Sequence, residues 1–216
     1  MGDLKMKTLV LGMVQTNTYV IRNVLTREAI VVDPADHAEK IYEYIKSNDL
    51  VCKGILLTHG HFDHIMAAKE LAELTQVKIY AHEAEEKLLS TPNMNASPSA
   101  GVSISLTPDV FLKDQEEFLL AGFDIKVIHT PGHTAGGACY YFTKHNVLIS
   151  GDTLFHECIG RSDLPTGNGR VLVESIKHKL LTLGDDVEVY PGHGIPTTIG
   201  HEKVRNPYLS GNIFID

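Results

Sequence analysis

The stretch THGHFDH occupies residues 58–64 and places three histidines and one aspartate within six positions. The run that precedes it, CKGILL at residues 52–57, is short and largely apolar, which is typical of a buried strand. Behind the motif, Ile65, Ala68 and Leu71 recur at helical spacing. The sequence therefore predicts that THGHFDH lies on the loop that joins a strand to a helix.

Three later segments repeat the pattern of an apolar strand, a tight turn with glycine, and then a His or Asp. They read VIHTPGHT at 127–134, LISGDT at 148–153 and VYPGHG at 189–194. Glycine lets the backbone pass close to a metal, and strand ends are rigid platforms for ligands. Together the four segments supply seven candidate metal ligands, which are His59, His61, Asp63, His64, His133, Asp152 and His193.

Five imidazoles and two carboxylates favour Zn²⁺, with Fe or Mn as alternatives, over Ca²⁺ or Mg²⁺. Seven side chains are too many for one tetrahedral ion, so we expect two divalent ions that share a carboxylate. Among the other histidines, His129 lies near these motifs and is a candidate hydrogen-bond partner of a ligand, as are His82 and His156. His201 has polar surroundings, which favour a surface or structural role.

Composition excludes several classes of function. The chain has 216 residues and a net charge of −8, and without a basic block it is a poor candidate for binding nucleic acid or an anionic membrane. Its three cysteines form neither a CxxC pair nor a disulfide framework. We therefore expect a cytoplasmic protein, and we expect one domain over residues 1–216 because no linker divides the chain.

The remaining pattern is mostly β in each half, with helices after the strands. The opening runs at 7–14, 18–24 and 28–34 predict an antiparallel meander, and 37–49 predicts an amphipathic helix. A further helix is predicted at about 170–183. Residues 91–109 are rich in Pro, Ser and Asn, so they predict an irregular segment that is either a lid or a mobile insertion.

At this point the chain resembles the metallo-β-lactamase superfamily. THGHFDH matches the signature T-H-x-H-x-D-H, and HTPGHT, SGDTLF and PGHG match its later motifs in the expected order. The resemblance implies an α/β fold, a four-layer αβ/βα sandwich with two mixed β-sheets flanked by helices. It also implies that one metal is bound by His59, His61 and His133. By the same resemblance the second metal is bound by Asp63, His64 and His193, with Asp152 as the bridge.

Within that superfamily the chain is most similar to glyoxalase II, the hydroxyacylglutathione hydrolases. The similarity rests on GDTLFHECIGRSDLPTG at residues 151–167, and it points to the short bacterial type without the C-terminal helical domain. The resemblance makes Arg161 a candidate substrate contact. Its neighbour Asp163 is a candidate to hold Arg161 in an ion pair near the ligands, and this structural role is slightly favoured.

The resemblance implies that the enzyme hydrolyses a hydroxyacyl-glutathione or related small-molecule thioester, with Asp63 and Asp152 in catalytic positions. Two divalent ions that share a hydroxide would provide the nucleophile at neutral pH. One alternative is a persulfide dioxygenase with a single Fe on His59, His133 and Asp152. Others are a lactonase or another ester hydrolase on the same fold, and a metal-binding protein without activity. The oligomeric state stays open.

Overall fold

Two β-sheets pack face to face in the computed structural model of the protein, which describes residues 3–210. The first sheet has six strands in the order β1-β2-β3-β4-β5-β6. Its first three strands pair antiparallel and the rest pair parallel, so the predicted opening meander is confirmed. The strands are β1 (Leu4–Leu11), β2 (Thr16–Asn23), β3 (Glu28–Val32), β4 (Val51–Leu56), β5 (Ile79–His82) and β6 (Val110–Leu112).

The second half of the chain supplies the other sheet and a small hairpin. Its strands are β7 (Glu117–Leu120), β8 (Phe123–His129), β9 (Ala138–Phe142), β10 (Val147–Gly151), β11 (Leu154–Phe155), β12 (Cys158–Ile159), β13 (Glu188–Pro191) and β14 (Thr197–Thr198). The second sheet has the order β14-β13-β10-β9-β8-β7, and only its β10–β13 pair is parallel. Strands β11 and β12 form a separate two-stranded antiparallel hairpin that is not hydrogen-bonded into either sheet.

Helices cover the outer face of each sheet. They are α1 (Ala38–Ser47), α2 (Phe62–Ile65), α3 (Ala68–Thr75), α4 (Glu86–Ser90), α5 (Gly169–Ser175) and α6 (Ile199–Arg205). The residues of α1 and α3 pack on the first sheet, and those of α5 and α6 pack on the second. A third apolar cluster, which includes Tyr19, Ile30 and Phe123, fills the space between the sheets. The predicted fold of two mixed sheets flanked by helices is confirmed.

Alternation along the strands explains the layers. In β3, Ile30 joins the cluster between the sheets, whereas Val31 joins the cluster under α1 and α3. Successive side chains of a strand point to opposite faces, and both faces here are buried. The central strands are therefore apolar without interruption, which is typical of a sheet covered on both sides.

The structure differs from the sequence prediction in its second half. The helix predicted at 170–183 consists of α5 followed by a π-helical turn at Ile176–Leu180. Asn168 caps α5 by accepting a hydrogen bond from the Val171 N–H, which fixes its start. The sequence did not predict the hairpin β11–β12, strand β14 or helix α6.

Residues 91–109 are mostly irregular, as predicted, with one 3₁₀ turn at Ser97–Ala100. The fully buried Asn95 anchors this segment, because its side-chain amide donates to the carbonyls of Leu89 and Ile104. Its own carbonyl accepts from the Phe62 N–H at the start of α2. The segment is thus attached to the helix that follows THGHFDH.

None of the helices within residues 3–210 is long and apolar enough to cross a membrane. Cys52, Cys139 and Cys158 are all free thiols.

Candidate metal centre

All seven predicted ligands follow the carboxyl ends of strands, and the structure brings them together. The motif THGHFDH follows β4, while the turns after β8, β10 and β13 supply the other three ligands. Short turns hold these side chains on a rigid frame, which is the arrangement that a preorganised site requires. The seven side chains are those of His59, His61, Asp63, His64, His133, Asp152 and His193.

Three imidazoles form the first group. Nδ1 of His61 lies 2.9 Å from Nε2 of His133, and the same His133 atom lies 3.2 Å from Nε2 of His59. All three side chains are buried. Burial lowers the pKa of each ring, for His61 to about 3, so the imidazoles are neutral. Neutral imidazole is the form that binds a metal.

The second group combines a carboxylate with two imidazoles. Oδ2 of Asp63 lies 3.5 Å from Nε2 of His64 and 3.3 Å from Nε2 of His193. Asp152 lies between the two groups, because its Oδ1 is 3.4 Å from Nε2 of His64 and its Oδ2 is 3.6 Å from Nε2 of His133. One carboxylate therefore faces both clusters.

Unpartnered polar atoms show that these residues fit metal ions. Nε2 of His64 and Oδ1 of Asp152 are buried and have no hydrogen-bond partner among the described residues. Buried polar atoms are almost always partnered, and these two point toward each other. Imidazole and carboxylate together form a donor set that suits Zn, Fe or Mn. The residues thus fit a pair of divalent ions.

Each of three ligand rings is oriented through its far nitrogen. Nδ1–H of His64 donates to Oδ2 of Asp33 at 2.9 Å, and Nδ1–H of His133 donates to the main-chain carbonyl of Arg161 at 2.7 Å. The Thr58 hydroxyl donates to Asp33, which leaves Thr58 Oγ1 free to accept from Nδ1–H of His59 at 3.1 Å. Every one of these bonds directs Nε2 of its ring into the centre.

Asp33 is a functional residue that the sequence reasoning missed. It is buried at the end of β3, and its Oδ1 also accepts from the Thr58 N–H at 2.8 Å. The carboxylate therefore fixes both the strand end that carries the motif and the tautomer of His64. The available signal was the aspartate of VVDP, which follows a buried strand as the ligands do.

Glu85 is a second missed residue, and it joins the two turns that carry the first group. Its Oε1 accepts from the Gly60 N–H at 2.8 Å, between His59 and His61. Its Oε2 accepts from the Gly136 N–H at 2.7 Å and from the Thr134 hydroxyl at 3.1 Å. Burial raises the pKa of Glu85 to about 7, while these hydrogen bonds limit the rise.

Strand β2 holds the turn that carries His193. The Asn17 N–H donates to the carbonyl of Gly192 at 2.7 Å, and its side-chain amide donates to that of Pro191 at 3.0 Å. The Tyr19 hydroxyl also donates to the Pro191 carbonyl, at 2.6 Å. Since β2 belongs to the first sheet and the turn to the second, these bonds hold the centre across the sandwich.

Within the part of the chain that the structure describes, the centre is accessible from one side. His193 is 26% exposed, Asp63 14% and Asp152 12%, whereas the remaining ligand side chains are almost fully buried. Phe155 of the β11–β12 hairpin packs near this opening, with its ring centroid 6.3 Å from that of His193. A substrate therefore approaches over Asp63, Asp152 and His193.

Aspartates dominate the electrostatics of the second group. Burial alone would lower the pKa of His64, but the charges of Asp152, Asp63 and Asp33 outweigh it and hold that pKa well above its usual value. Burial likewise opposes the charge of Asp63, yet the neighbouring histidines lower the pKa of that carboxyl to about 2. This half of the centre is an anionic setting that favours cations.

His129 makes its contacts away from the ligand side chains, whereas the predicted ion pair between Arg161 and Asp163 is confirmed. Nε2 of His129 lies 2.9 Å from the Ala135 carbonyl, and its ring stacks on His82 at 3.9 Å, so it contacts the turn and not a ligand side chain. Arg161 and Asp163 form a bidentate ion pair with two bonds of 2.7 Å, and both are exposed. The main-chain carbonyl of Arg161, and not its guanidinium, contacts the candidate metal ligand His133.

Comparison with known proteins identifies the family. The sequence model of the metallo-beta-lactamase superfamily matches residues 11–193. The chain belongs to the metallo-β-lactamase superfamily. That range begins at the end of β1 and ends at His193, so it contains all seven candidate ligands and Asp33.

Two relatives of this superfamily member are similar over most of their length. It is 36% identical over 210 residues to the probable metallo-hydrolase YqgX of Bacillus subtilis, covering 96% of this chain and 99% of that protein. It is 38% identical over 187 residues to the hydroxyacylglutathione hydrolase GloC of Haemophilus influenzae, covering 85% and 88%. A metal-dependent hydrolase is therefore the class of enzyme to which this superfamily member belongs.

Solved structures agree with the fold. BLEG-1 B3 metallo-β-lactamase is 40% identical with a TM-score of 0.91, covering 96% of this chain and 100% of that one. TTHA1623 in a di-iron-bound form is 33% identical with a TM-score of 0.82, covering 94% and 100%. ETHE1 from Myxococcus xanthus is 27% identical with a TM-score of 0.77, covering 96% and 85%.

Proposed function

We propose that this enzyme hydrolyses a thioester, with a hydroxyacyl-glutathione or a related thiol conjugate as its substrate. The observation that carries the proposal is the position of Asp152 between the two ligand groups. Its Oδ2 lies 3.6 Å from Nε2 of His133 in the first group and 3.5 Å from Nε2 of His193 in the second, and its Oδ1 lies 3.4 Å from Nε2 of His64. A carboxylate placed in this way suits two ions that share it, and paired metals are a recurrent device for hydrolysis. Zn²⁺ is the proposed metal, with Fe and Mn as alternatives.

The chain's own residues then perform distinct tasks. The chemistry that two bound divalent ions supply is polarisation of the acyl carbonyl and activation of water near neutral pH. His59, His61 and His133 remain neutral because they are buried. Asp33 and the Arg161 carbonyl hold the tautomers that aim the Nε2 atoms of His64 and His133 inward.

Asp63 is the carboxylate best placed to orient water on the open side. Its Oδ2 accepts from the Thr16 hydroxyl at 3.1 Å and faces His193 at 3.3 Å. Its pKa of about 2 keeps it ionised, so it can accept a hydrogen bond from the attacking water and orient it toward the acyl carbon. The closed side, under His59 and His64, excludes solvent.

The acyl-glutathione substrate is supported by one relative and one segment. The relative named hydroxyacylglutathione hydrolase is 38% identical to this chain. The segment is GRSDLPTG at residues 160–167, which carries the likeness to glyoxalase II and directly follows the hairpin beside the centre. These two observations favour a thioester over the lactone and other ester substrates of the same fold.

The test is a steady-state assay of the purified protein on lactoyl-glutathione, with metal content measured on the same sample. We expect hydrolysis that depends on bound metal and that exceeds hydrolysis of a matched oxygen ester. Asp63→Ala should lose the metal of the second group and most of the activity. Turnover no faster than buffer, with two metals bound, would rule out the substrate.

A mono-iron persulfide dioxygenase is the second candidate, and the di-iron form of TTHA1623 favours testing iron. That reaction would use His59, His133 and Asp152 and would leave the second group without a role. Oxygen uptake and sulfite formation from glutathione persulfide by the iron-loaded protein would identify it. Lactoyl-glutathione hydrolysis by the zinc-loaded protein, together with no oxygen uptake by the iron-loaded protein, would exclude it.

A further inference from the structure

A second cluster of metal-binding side chains lies outside the centre. His156 and Glu157 form the tip of the β11–β12 hairpin, and His201 lies in the first turn of α6. One ligand atom from each residue lies within 4.8 Å of the others. Nε2 of His201 is 2.9 Å from Oε1 of Glu157, and the rings of His156 and His201 stack with centroids 4.9 Å apart.

We propose that His156, Glu157 and His201 form a peripheral binding site for a divalent transition metal. Two imidazoles and one carboxylate are the ligands of several three-residue zinc sites. Metal–ligand bonds of about 2.1 Å place ligand atoms roughly 3.4 Å apart in a tetrahedron, so a small side-chain movement suffices. This site is independent of the proposed thioester hydrolysis.

A buried carboxylate behind the cluster fixes the hairpin tip. Oε2 of the fully buried Glu202 accepts from the Glu157 N–H at 3.0 Å and from the Asn206 amide at 2.8 Å. The Asn206 amide also donates to the Cys158 carbonyl at 3.0 Å. Glu157 has a positive φ of 53°, a conformation that this network holds in place. The backbone of two ligands is therefore fixed relative to α6 before any metal binds.

An exposed ion pair is the simpler explanation of the same contacts. Such an exposed pair contributes little to stability, and it needs only His201 and Glu157. It gives no role to His156, whose ring the fixed hairpin tip places against His201. Three convergent donors, two of them imidazoles, distinguish a metal site from a pair of charges.

A metal at this site would connect the hairpin to α6 near the centre. The hairpin begins two residues after Asp152, its Phe155 packs on His193, and Arg161 beyond β12 orients His133. Cross-linking its tip to α6 reduces the freedom of this connection. Because the metal binds only the folded chain, it also stabilises the fold.

The experiment compares the zinc content of the full-length protein and its variants after dialysis against the same zinc buffer. We expect wild type to hold one more zinc per chain than His156→Ala or His201→Ala. His178→Ala removes an exposed histidine elsewhere and should match wild type. Glu157→Gln should weaken the extra site and leave the count unchanged at high zinc. Equal zinc in wild type and both histidine variants would overturn the proposal.

A second measurement does not depend on metal counts. One equivalent of Cu²⁺, which binds such ligands more tightly than Zn²⁺, should displace the peripheral zinc of the zinc-loaded protein and give an electron paramagnetic resonance spectrum with coupling to two imidazole nitrogens. His156→Ala should lose one of these couplings, and added metal should raise Tm less in that variant than in wild type. Identical spectra and identical Tm shifts in His156→Ala and wild type would contradict the site.

Discussion

Oδ2 of Asp33 lies 2.9 Å from Nδ1 of His64, and this bond directs the opposite nitrogen of the ring into the metal centre. The same carboxylate accepts from the hydroxyl and the N–H of Thr58, so it also fixes the strand end that carries THGHFDH. A residue 31 positions away from its partner thus sets the protonated nitrogen of a candidate ligand.

We predict that Asp33→Asn weakens metal binding by about 10–100-fold, as removal of such partners typically does. The substituted asparagine would keep one acceptor oxygen, and its NH₂ group would face either Nδ1–H of His64 or the Thr58 N–H. Two donors cannot form a hydrogen bond with each other, so one bond is lost. Competition with a chelator, with metal read by mass spectrometry, measures the change. Asp36→Asn is the matched control, because Asp36 is a partly exposed carboxylate on the same loop. Equal metal retention in both variants would contradict the role of Asp33.

We predict that Glu85→Gln destabilises the apoprotein by about 1–3 kcal/mol, because Gln cannot accept every bond that Glu85 accepts and leaves a buried N–H unpaired. Urea unfolding measures this free energy. Glu86→Gln, an exposed neighbour, should change it by less than about 0.5 kcal/mol. Similar unfolding free energies for the two variants would show that Glu85 does not join the turns.

The same variant yields a pH prediction. Burial raises the pKa of Glu85 from 4.5 to about 7, so the folded protein keeps a proton that the unfolded chain has lost. The stabilising contribution is complete below about pH 4.5 and declines as pH rises through about 7. The stability of wild type relative to Glu85→Gln should therefore fall between about pH 5 and pH 8. A constant difference over that range would contradict the buried, raised pKa.

We predict that Gly192→Ala disrupts the centre. A Cβ there would lie 2.6 Å from Cε1 of His64 and would also overlap Asp152. Gly194 offers a matched control, since it has a φ of +77° but nothing within 4 Å of an added Cβ. Gly194→Ala should cost about 1 kcal/mol of backbone strain and retain its metal, whereas Gly192→Ala should lose metal on dialysis. Retention of metal by both would show that the turn tolerates the extra methyl group.

We predict that Arg161→Ala changes the unfolding free energy by less than about 1 kcal/mol, because its ion pair with Asp163 is exposed on both sides. The carbonyl that orients His133 belongs to the main chain and survives the substitution. Metal content should stay unchanged, and kcat/KM should stay within about fivefold of wild type. A large rise in KM with both metals present would instead identify Arg161 as a substrate contact.

The strands that carry the ligands could be predicted from sequence. Each combines an apolar run with a glycine turn and a His or Asp, and all of that information lies within about ten residues. The sheets and the layers follow from the same runs, because the strands are apolar on both faces. The two-residue strands of the hairpin at 154–159 could not be found this way, since their position depends on Glu202 and Asn206 far along the chain.

The residues that orient the ligands could not be predicted from sequence for a similar reason. Asp33 and Glu85 are single carboxylates in ordinary surroundings, and their partners lie 25–51 residues away. A local pattern contains no information about such pairs. For His129 a local pattern predicted a contact that the structure does not show. Its position near the ligand motifs suggested a hydrogen bond to a ligand side chain, but its ring lies against the Ala135 carbonyl.

The most direct test of the central claim is a titration of the apoprotein with Zn²⁺ in which lactoyl-glutathione hydrolysis and bound zinc are measured together. A dinuclear hydrolase, with Asp152 shared between the two groups, should gain its activity up to two zinc ions per chain and show little further gain. Asp63→Ala, combined with His156→Ala to remove the proposed peripheral site, should stop near one ion with most of the activity lost. Full turnover at one ion per chain in wild type, or none with two bound, would contradict the account.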